Sequence, residues 1–397
     1  MAAMAGTVAA ALPVFLVGAV AVQIRESVHF GAGALGLLVA LYYLGAALSS
    51  AALGRMVESV GALRTMRVAC AVSATVLALI AAVAHSVAVL AVLLVAAGVS
   101  SAAMQPAANL YLSKRMTHGR QGAAFGIKQS AVPLTTALAG LAVPALALTV
   151  GWRFAFALAA VVAATVAVVM PRPTVPLAQR RAASSHSRPA RSGKALWVMA
   201  GGFGLGLAAA GSLTAFLASS AVAAGTGRAW AGLLVGIGGA AAVVGRIVVG
   251  RRADRRGRDH LPVVAGMLLI GAAGYIALAA VSADRASYAY LPVVLVVFGV
   301  GWGWNGLFNF AVVRDYPERP AWATGVTQTG GRMGGVVGPF LFGQVVSHSS
   351  YAVAWSAAAV ISIVAAGVLL AGRRMASREP AGGTLPVAPA APTGSIG

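Results

Sequence analysis

The sequence predicts an all-α polytopic membrane protein of twelve transmembrane helices. Three observations carry that prediction: an apolar majority, very little charge, and apolar runs of helical length repeated from one end of the chain to the other. Of 397 residues, 59% are hydrophobic and 9% are charged, whereas about a quarter of an ordinary soluble domain is charged. At about 20 residues per span, the apolar share suffices for about twelve crossings and leaves little for a soluble domain. The runs fall at residues 4–23, 34–54, 67–85, 87–112, 122–148 and 152–170, then at 195–218, 229–250, 262–282, 288–312, 321–347 and 351–371. Strands of a membrane barrel would alternate over about ten residues, and these runs do not. The first run lacks a basic leader and is read as a span rather than a signal peptide.

Between the two sets of six lies 171–194, which opens on Pro171, Pro173 and Pro176 and continues with Arg180, Arg181, Ser184, Ser185, Arg188 and Arg191. That composition predicts a solvated linker, and the Pro, Ala and Gly of 372–397 predict an unfolded tail. The expected domains are thus two bundles, 1–170 and 195–371, with the linker between them and the tail after.

The net charge of +21 does not point to nucleic acid, because the cations sit in short loops instead of on one face of a soluble module. Arginine outnumbers lysine 26 to 3. One set of alternate loops, with the linker and tail, holds 22 of the 29 cations; by the positive-inside rule this is the cytoplasmic side, with both termini on it and the chain in the cell membrane. Cys70 is the one cysteine, so no internal disulfide is possible.

The two halves repeat. Shifted by 196 to 200 residues, Gly54 and Arg55 fall on Gly250 and Arg251, Glu58 on Asp254, Gly61 on Gly257, Gln105 on Asn305, Asn109 on Asn309, and Gln129 on Gln328. A period of six helices gives both halves the same topology, related by a pseudo-two-fold axis along the membrane normal.

With that repeat, Gly250, Arg252, Ala253, Asp254, Arg255, Arg256, Gly257 and Arg258 resemble the signature loop of the major facilitator superfamily of secondary transporters. Gly54, Met56, Glu58, Gly61 and Arg64 form a degenerate copy. Arg252, Asp259 and Glu58 depart from the pattern. The resemblance covers essentially the whole chain. It implies the major facilitator fold, two six-helix bundles that alternate access to a midplane site. It also implies a small-molecule substrate, a monomer in the lipid bilayer, and neither cofactor nor metal. In the family the signature loop latches one face shut, which assigns gating to Gly54, Glu58, Gly61, Gly250, Asp254, Arg255, Gly257 and Arg258. Loop glycines permit tight turns, and an acid beside a helix N-terminus gains from its dipole.

All eight acidic residues lie in loops, tail or span ends, which leaves no buried carboxylate to relay protons. Three cations fall within spans: Lys128, Arg246 and Arg332. A cation at mid-bilayer costs about 2.5 to 3.5 kcal/mol. Arg332 lies about 16 Å along its span, near the midplane, whereas Lys128 and Arg246 are shallow enough to snorkel to the interface. An unneutralised Arg332 fits a substrate that brings an anion, since guanidinium grips a carboxylate in bidentate fashion. Arg246 with a cation in the eleventh span is similar to the oxalate:formate and monocarboxylate carriers of the superfamily, and that resemblance gives Arg246 and Arg332 a share of the substrate's charge. The expected cavity lining is Arg332, Arg246, Lys128, Gln105, Asn109, Gln129, Trp302, Asn305, Asn309 and Gln328. For the amides the alternative is interhelical hydrogen bonding.

The expected function is therefore secondary transport of a small organic anion such as a carboxylate. An exporter of hydrophobic or cationic drugs is the alternative, although it would want an acid in its cavity. A membrane enzyme would need paired carboxylates, a His-Glu-x-x-His pattern or a phosphate loop, and the sequence has none; a receptor would leave the mirrored amides and the mid-membrane arginine without a role.

Overall fold

The computed structural model describes residues 1–115, 128–171, 193–255, 260–284, 287–316 and 320–378. Within them the chain is helical, with no strand. Helix α1 (Ala2–Ala19) bends at Val20 into α2 (Ala21–Val28); α3 is Ala32–Val60, α4 Ala62–Val83 and α5 Val87–Arg115. Helix α6 (Ala131–Ala142) runs into a π-helical stretch, Val143–Gly151, and Gly151 turns the chain into α7 (Trp152–Val169). The turn needs glycine because its φ is +104°, a region that residues with a Cβ avoid. The second half comprises α8 (Gly193–Ala223), α9 (Arg228–Arg255), α10 (Leu261–Ala283), α11 (Tyr290–Val296), a π-helical stretch Val297–Gly301, α12 (Trp304–Asp315), α13 (Pro320–His348) and α14 (Tyr351–Arg378).

Ten helical segments are long and apolar enough to cross a membrane. The expected fifth and sixth spans count among them as one run, Ala131–Val169. The expected eleventh, α13, has the length of a span but is diluted by glycine, threonine, glutamine and Arg332. Side chains such as Leu48, Val92 and Val168 are more than two-thirds exposed. Such exposure costs little where the surroundings are lipid, and it leaves the polar groups to the interior.

Helix α1 packs against α4, α5, α6 and α7, while α8 packs against α13 and α14, and α10 against α14. Two helix pairs carry most of the contact between the halves: α3 with α13, and α6 with α9. Glycine explains how closely they approach. A Cβ on Gly36 would lie 2.3 Å from the Pro339 carbonyl oxygen, and one on Gly140 would lie 2.2 Å from the Gly236 nitrogen. The ladder Gly330, Gly334 and Gly338 is just as tight, but it meets Ala200, Gly204 and Ala208 of α8 and so packs within the second half.

These inter-half contacts gather toward one end, which also carries the α2–α3 and α8–α9 turns and is here named the closed face. There the Gly33 amide donates to Ser347 Oγ at 2.8 Å, and Arg228 pairs with Glu26, both half exposed. Trp152 Nε1 donates to Ser27 Oγ at 3.0 Å, and Arg153 donates to the carbonyls of Ala81 and Ala84. The opposite, basic face carries the ends of α3, α9 and α12. Gly54, Gly61, Gly250, Gly306 and Gly325 lie toward it, and a Cβ on any of them would meet nothing within 4 Å.

Candidate functional site

The site is built where α3 and α13 part. From the closed face inward, Gly343 meets Ala32, Pro339 meets Gly36, and Gly335 lies under the Tyr43 ring, 2.7 Å from where its Cβ would be. Residues 343, 339, 335 and 332 follow one another at three- and four-residue steps, so they form one stripe of α13. Arg332 is the next member of that stripe, beyond the last close contact. It is neither fully buried nor fully exposed, and among the described residues no carboxylate pairs with it. Its electrostatic neighbour is the Tyr42 phenol of α3, in the other half.

The other two cations do not snorkel. Lys128 is 4% exposed and donates to Gln105 Oε1 of α5. Arg246 donates through Nη1 to the Gln129 carbonyl across the interface, and its guanidinium lies 5.1 Å from the Trp302 ring centroid. A polar acceptor inside the protein holds each cation where lipid offers none, and an aromatic face adds to the hold on Arg246. The Arg246 Nε remains buried without a partner. Trp302, 4% exposed, also touches Phe298 and, across the interface, Phe15 of α1.

The amides divide between the two expected roles. Asn309 Nδ2 donates to Asn305 Oδ1 at 2.9 Å, and Gln328 Nε2 donates to Asn309 Oδ1 at 3.1 Å. That chain ties α12 to α13, much as Lys128 and Gln105 tie the turn before α6 to α5. Asn109 differs, because its Oδ1 is buried with no partner. Gln129 contributes its backbone, while its side chain is partly exposed.

Of the expected gating residues, Gly54 and Gly61 flank the end of α3, and Gly250 lies near the end of α9. Glu58 belongs to α3, and Asp254 and Arg255 belong to α9, with their side chains outside the described set; Gly257 and Arg258 lie outside the described residues. Of the two mid-span tyrosines of α3, the sequence expects one to reach the cavity and the other to pack, without saying which. Tyr43 lines a small crevice with Val14, Phe15, Val39, Thr214 and Ala215, and Tyr42 is the one within electrostatic reach of Arg332. No spacing could have separated the two tyrosines, because α3 is apolar on most of its faces. The described residues contain no group of three or more His, Cys, Asp or Glu able to hold a metal.

Comparison with known proteins agrees with this architecture. The family model described as Major Facilitator Superfamily matches residues 3–339. Two MFS-type transporters of Mycobacterium tuberculosis, from strains CDC 1551 / Oshkosh and H37Rv, are each 29% identical over 341 residues, covering 83% of this chain and 75% of theirs. Among solved structures, a bacterial homolog of the human lysosomal transporter Spinster, in an inward-facing and occupied conformation, superposes with a TM-score of 0.70 at 16% identity, covering 94% of this chain and 96% of that one. The nucleoside transporter NupG superposes with a TM-score of 0.70 at 14% identity, covering 94% of this chain and 100% of that one; at such identities both show the fold alone. A family model spanning most of the chain, on a bundle that is all-helical among the described residues, leaves one conclusion: the protein is a multi-pass membrane protein of the major facilitator superfamily, a transporter and not an enzyme.

Proposed function

We propose that this transporter is a secondary carrier of a small organic anion, most simply a carboxylate, working by alternating access between the halves 1–170 and 195–371. The observation that supports this reading is Arg332: a guanidinium inside the membrane-spanning bundle, at the point where the halves part, with no carboxylate beside it among the described residues. Holding an unneutralised cation there is costly, and an incoming anion removes much of that cost. Arg332 therefore supplies the bidentate contact, while Arg246 and Lys128, engaged by protein acceptors, add attraction at longer range.

Alternating access follows from differential affinity. A ligand shifts a two-state equilibrium only by as much as it prefers one state. An anion held by Arg332 of one half and reached by groups of the other favours the state in which the halves close around it. The positive-inside rule, applied to the cation-rich loops of the sequence, supports a basic face in the cytoplasm, and on that reading the conformation described here opens inward. No carboxylate relay serves the site, and the substrate's own charge or an exchanged anion provides the coupling.

Uptake into proteoliposomes tests this. Acetate, benzoate, succinate and citrate, each radiolabelled, are offered beside a lipophilic cation and a neutral sugar. The reading predicts saturable flux of at least one anion, lost in Arg332→Ala and partly kept in Arg332→Lys. Flux of the cation alone, equal in wild type and Arg332→Ala, would replace it with the drug-exporter alternative.

A further inference from the structure

Tyr42 and Tyr43 are adjacent, both in the middle of α3, and the structure gives them different tasks. Tyr43 packs its ring over Gly335 of α13 and lines the crevice against α1 and α8. Tyr42 stands edge-on to it, ring centroids 5.2 Å apart at 87°, and is 3% exposed. Its backbone is fixed, because a Cβ on Gly98 of α5 would lie 2.0 Å from the Tyr42 carbonyl oxygen. The ring is thus held from two sides.

The phenol, in contrast, is weakly committed. Its one proton goes to the Ala10 carbonyl of α1 at 3.4 Å, well beyond the roughly 2.7 to 2.8 Å usual for an O–H donor. Ser101 of α5 lies beside the same phenol. The Arg332 guanidinium of the other half lies three residues along α13 from Gly335, on which Tyr43 packs, and so within electrostatic reach of the Tyr42 phenol; it has no acceptor to offer and, among the described residues, no carboxylate to satisfy it. A buried phenol with a long hydrogen bond and a guanidinium without a carboxylate, one from each half, are a pair that a single anion could satisfy by accepting from both.

We propose that Tyr42 is the first half's substrate-binding residue, its phenol donating a hydrogen bond to the same anion that Arg332 grips from the second half. The inference rests on the organic-anion reading above and adds to it. Arg332 alone would bind the anion to one half, whereas Tyr42 makes the anion a bridge. Turning the O–H from Ala10 to an anion oxygen exchanges a long neutral bond for a charge-assisted one, about twice as strong. Tyr43, on the far side of the ring pair, makes no such contact.

The test measures dissociation constants of detergent-purified protein for acetate, benzoate, succinate and citrate, in wild type, Arg332→Ala, Tyr42→Phe, Tyr42→His and Tyr43→Phe. For the anion that binds wild type best, Tyr42→Phe is expected to weaken binding about tenfold, the effect of one hydrogen bond to a charged group. Its ligand-free melting temperature should stay near that of wild type, Tyr42→His should recover part of the affinity through its N–H, and Tyr43→Phe should bind like wild type. If Tyr42→Phe does not fold, the comparison of Tyr42→His with Tyr43→Phe carries the test, with a weaker but measurable loss expected only in the former. Binding that depends on Arg332 but is equal in wild type, Tyr42→Phe and Tyr42→His overturns the inference and leaves the organic-anion reading standing. No binding of any of the four anions to wild type overturns both.

Discussion

Helices α3 and α13 meet in two ways along their length, and the contrast locates function. Near the closed face they touch backbone to backbone, Gly36 on Pro339 and Gly343 on Ala32, with no room for a methyl group. Two turns further on, the same stripe of α13 carries Arg332, and the same face of α3 carries Tyr43, with Tyr42 beside it. The first region is a dry hinge made of missing side chains. In the second, a full positive charge has no carboxylate in reach among the described residues. A packed contact can be held by shape alone, but an unpaired charge in a low-dielectric interior calls for a ligand that the protein does not itself contain.

The comparison is broken most severely by filling the hinge. Gly36→Leu must displace the Pro339 backbone and is expected to open the closed face. The label is a cysteine placed at Ser347 beside Gly33, with Cys70 buried and silent; its reaction with an impermeant maleimide should speed up about tenfold, and an unchanged rate would show that the hinge tolerates a side chain. Gly140→Leu should act alike through α6 and α9, because its Cβ meets Gly236 and Gly232.

A smaller effect sharpens the second region. Arg246 already has the Gln129 carbonyl and the Trp302 ring, so Arg246→Ala should weaken anion binding by only about threefold to tenfold, far less than Arg332→Ala. Equal losses in the two variants, read as dissociation constants, would mean that the two arginines share the anion evenly.

Smallest of all is the ion pair on the closed face. Glu26 and Arg228 are half exposed, and such pairs are worth about 0.2 to 1 kcal/mol. Glu26→Gln should therefore shift the melting temperature by no more than a few degrees and disappear as an effect at high salt. A large, salt-insensitive loss would make this pair, and not the glycine contacts, the principal clasp.

The sequence made the helical class, the repeat and the three intramembrane cations legible, because charge is conspicuous in an apolar chain and a six-helix period is hard to miss. It left Lys128 and Arg246 between the cavity and the membrane interface, and the structure turns both inward, toward Gln105, Gln129 and Trp302. Depth along a helix says how far a side chain must reach to escape, but partners on neighbouring helices decide whether it does. The same limit hid the division between Tyr42 and Tyr43, and it hid which of the 49 glycines join the two halves. The ladder at Gly330, Gly334 and Gly338 reads in sequence as close helix packing, and it does pack closely, within the second half; the glycines between the halves form no pattern until both sets of contacts are in place.

On the reading proposed above, Arg332 is the seat of an anion shared by the two halves. A thermal-shift screen of detergent-purified wild type and Arg332→Ala against small organic anions, amphipathic cations and neutral metabolites decides this. An anion at about a hundred times its dissociation constant should stabilise wild type by about 2.7 kcal/mol, and that gain should vanish in Arg332→Ala. Stabilisation by cations or neutral compounds, equal in the two proteins and with no anion effect, would contradict the claim.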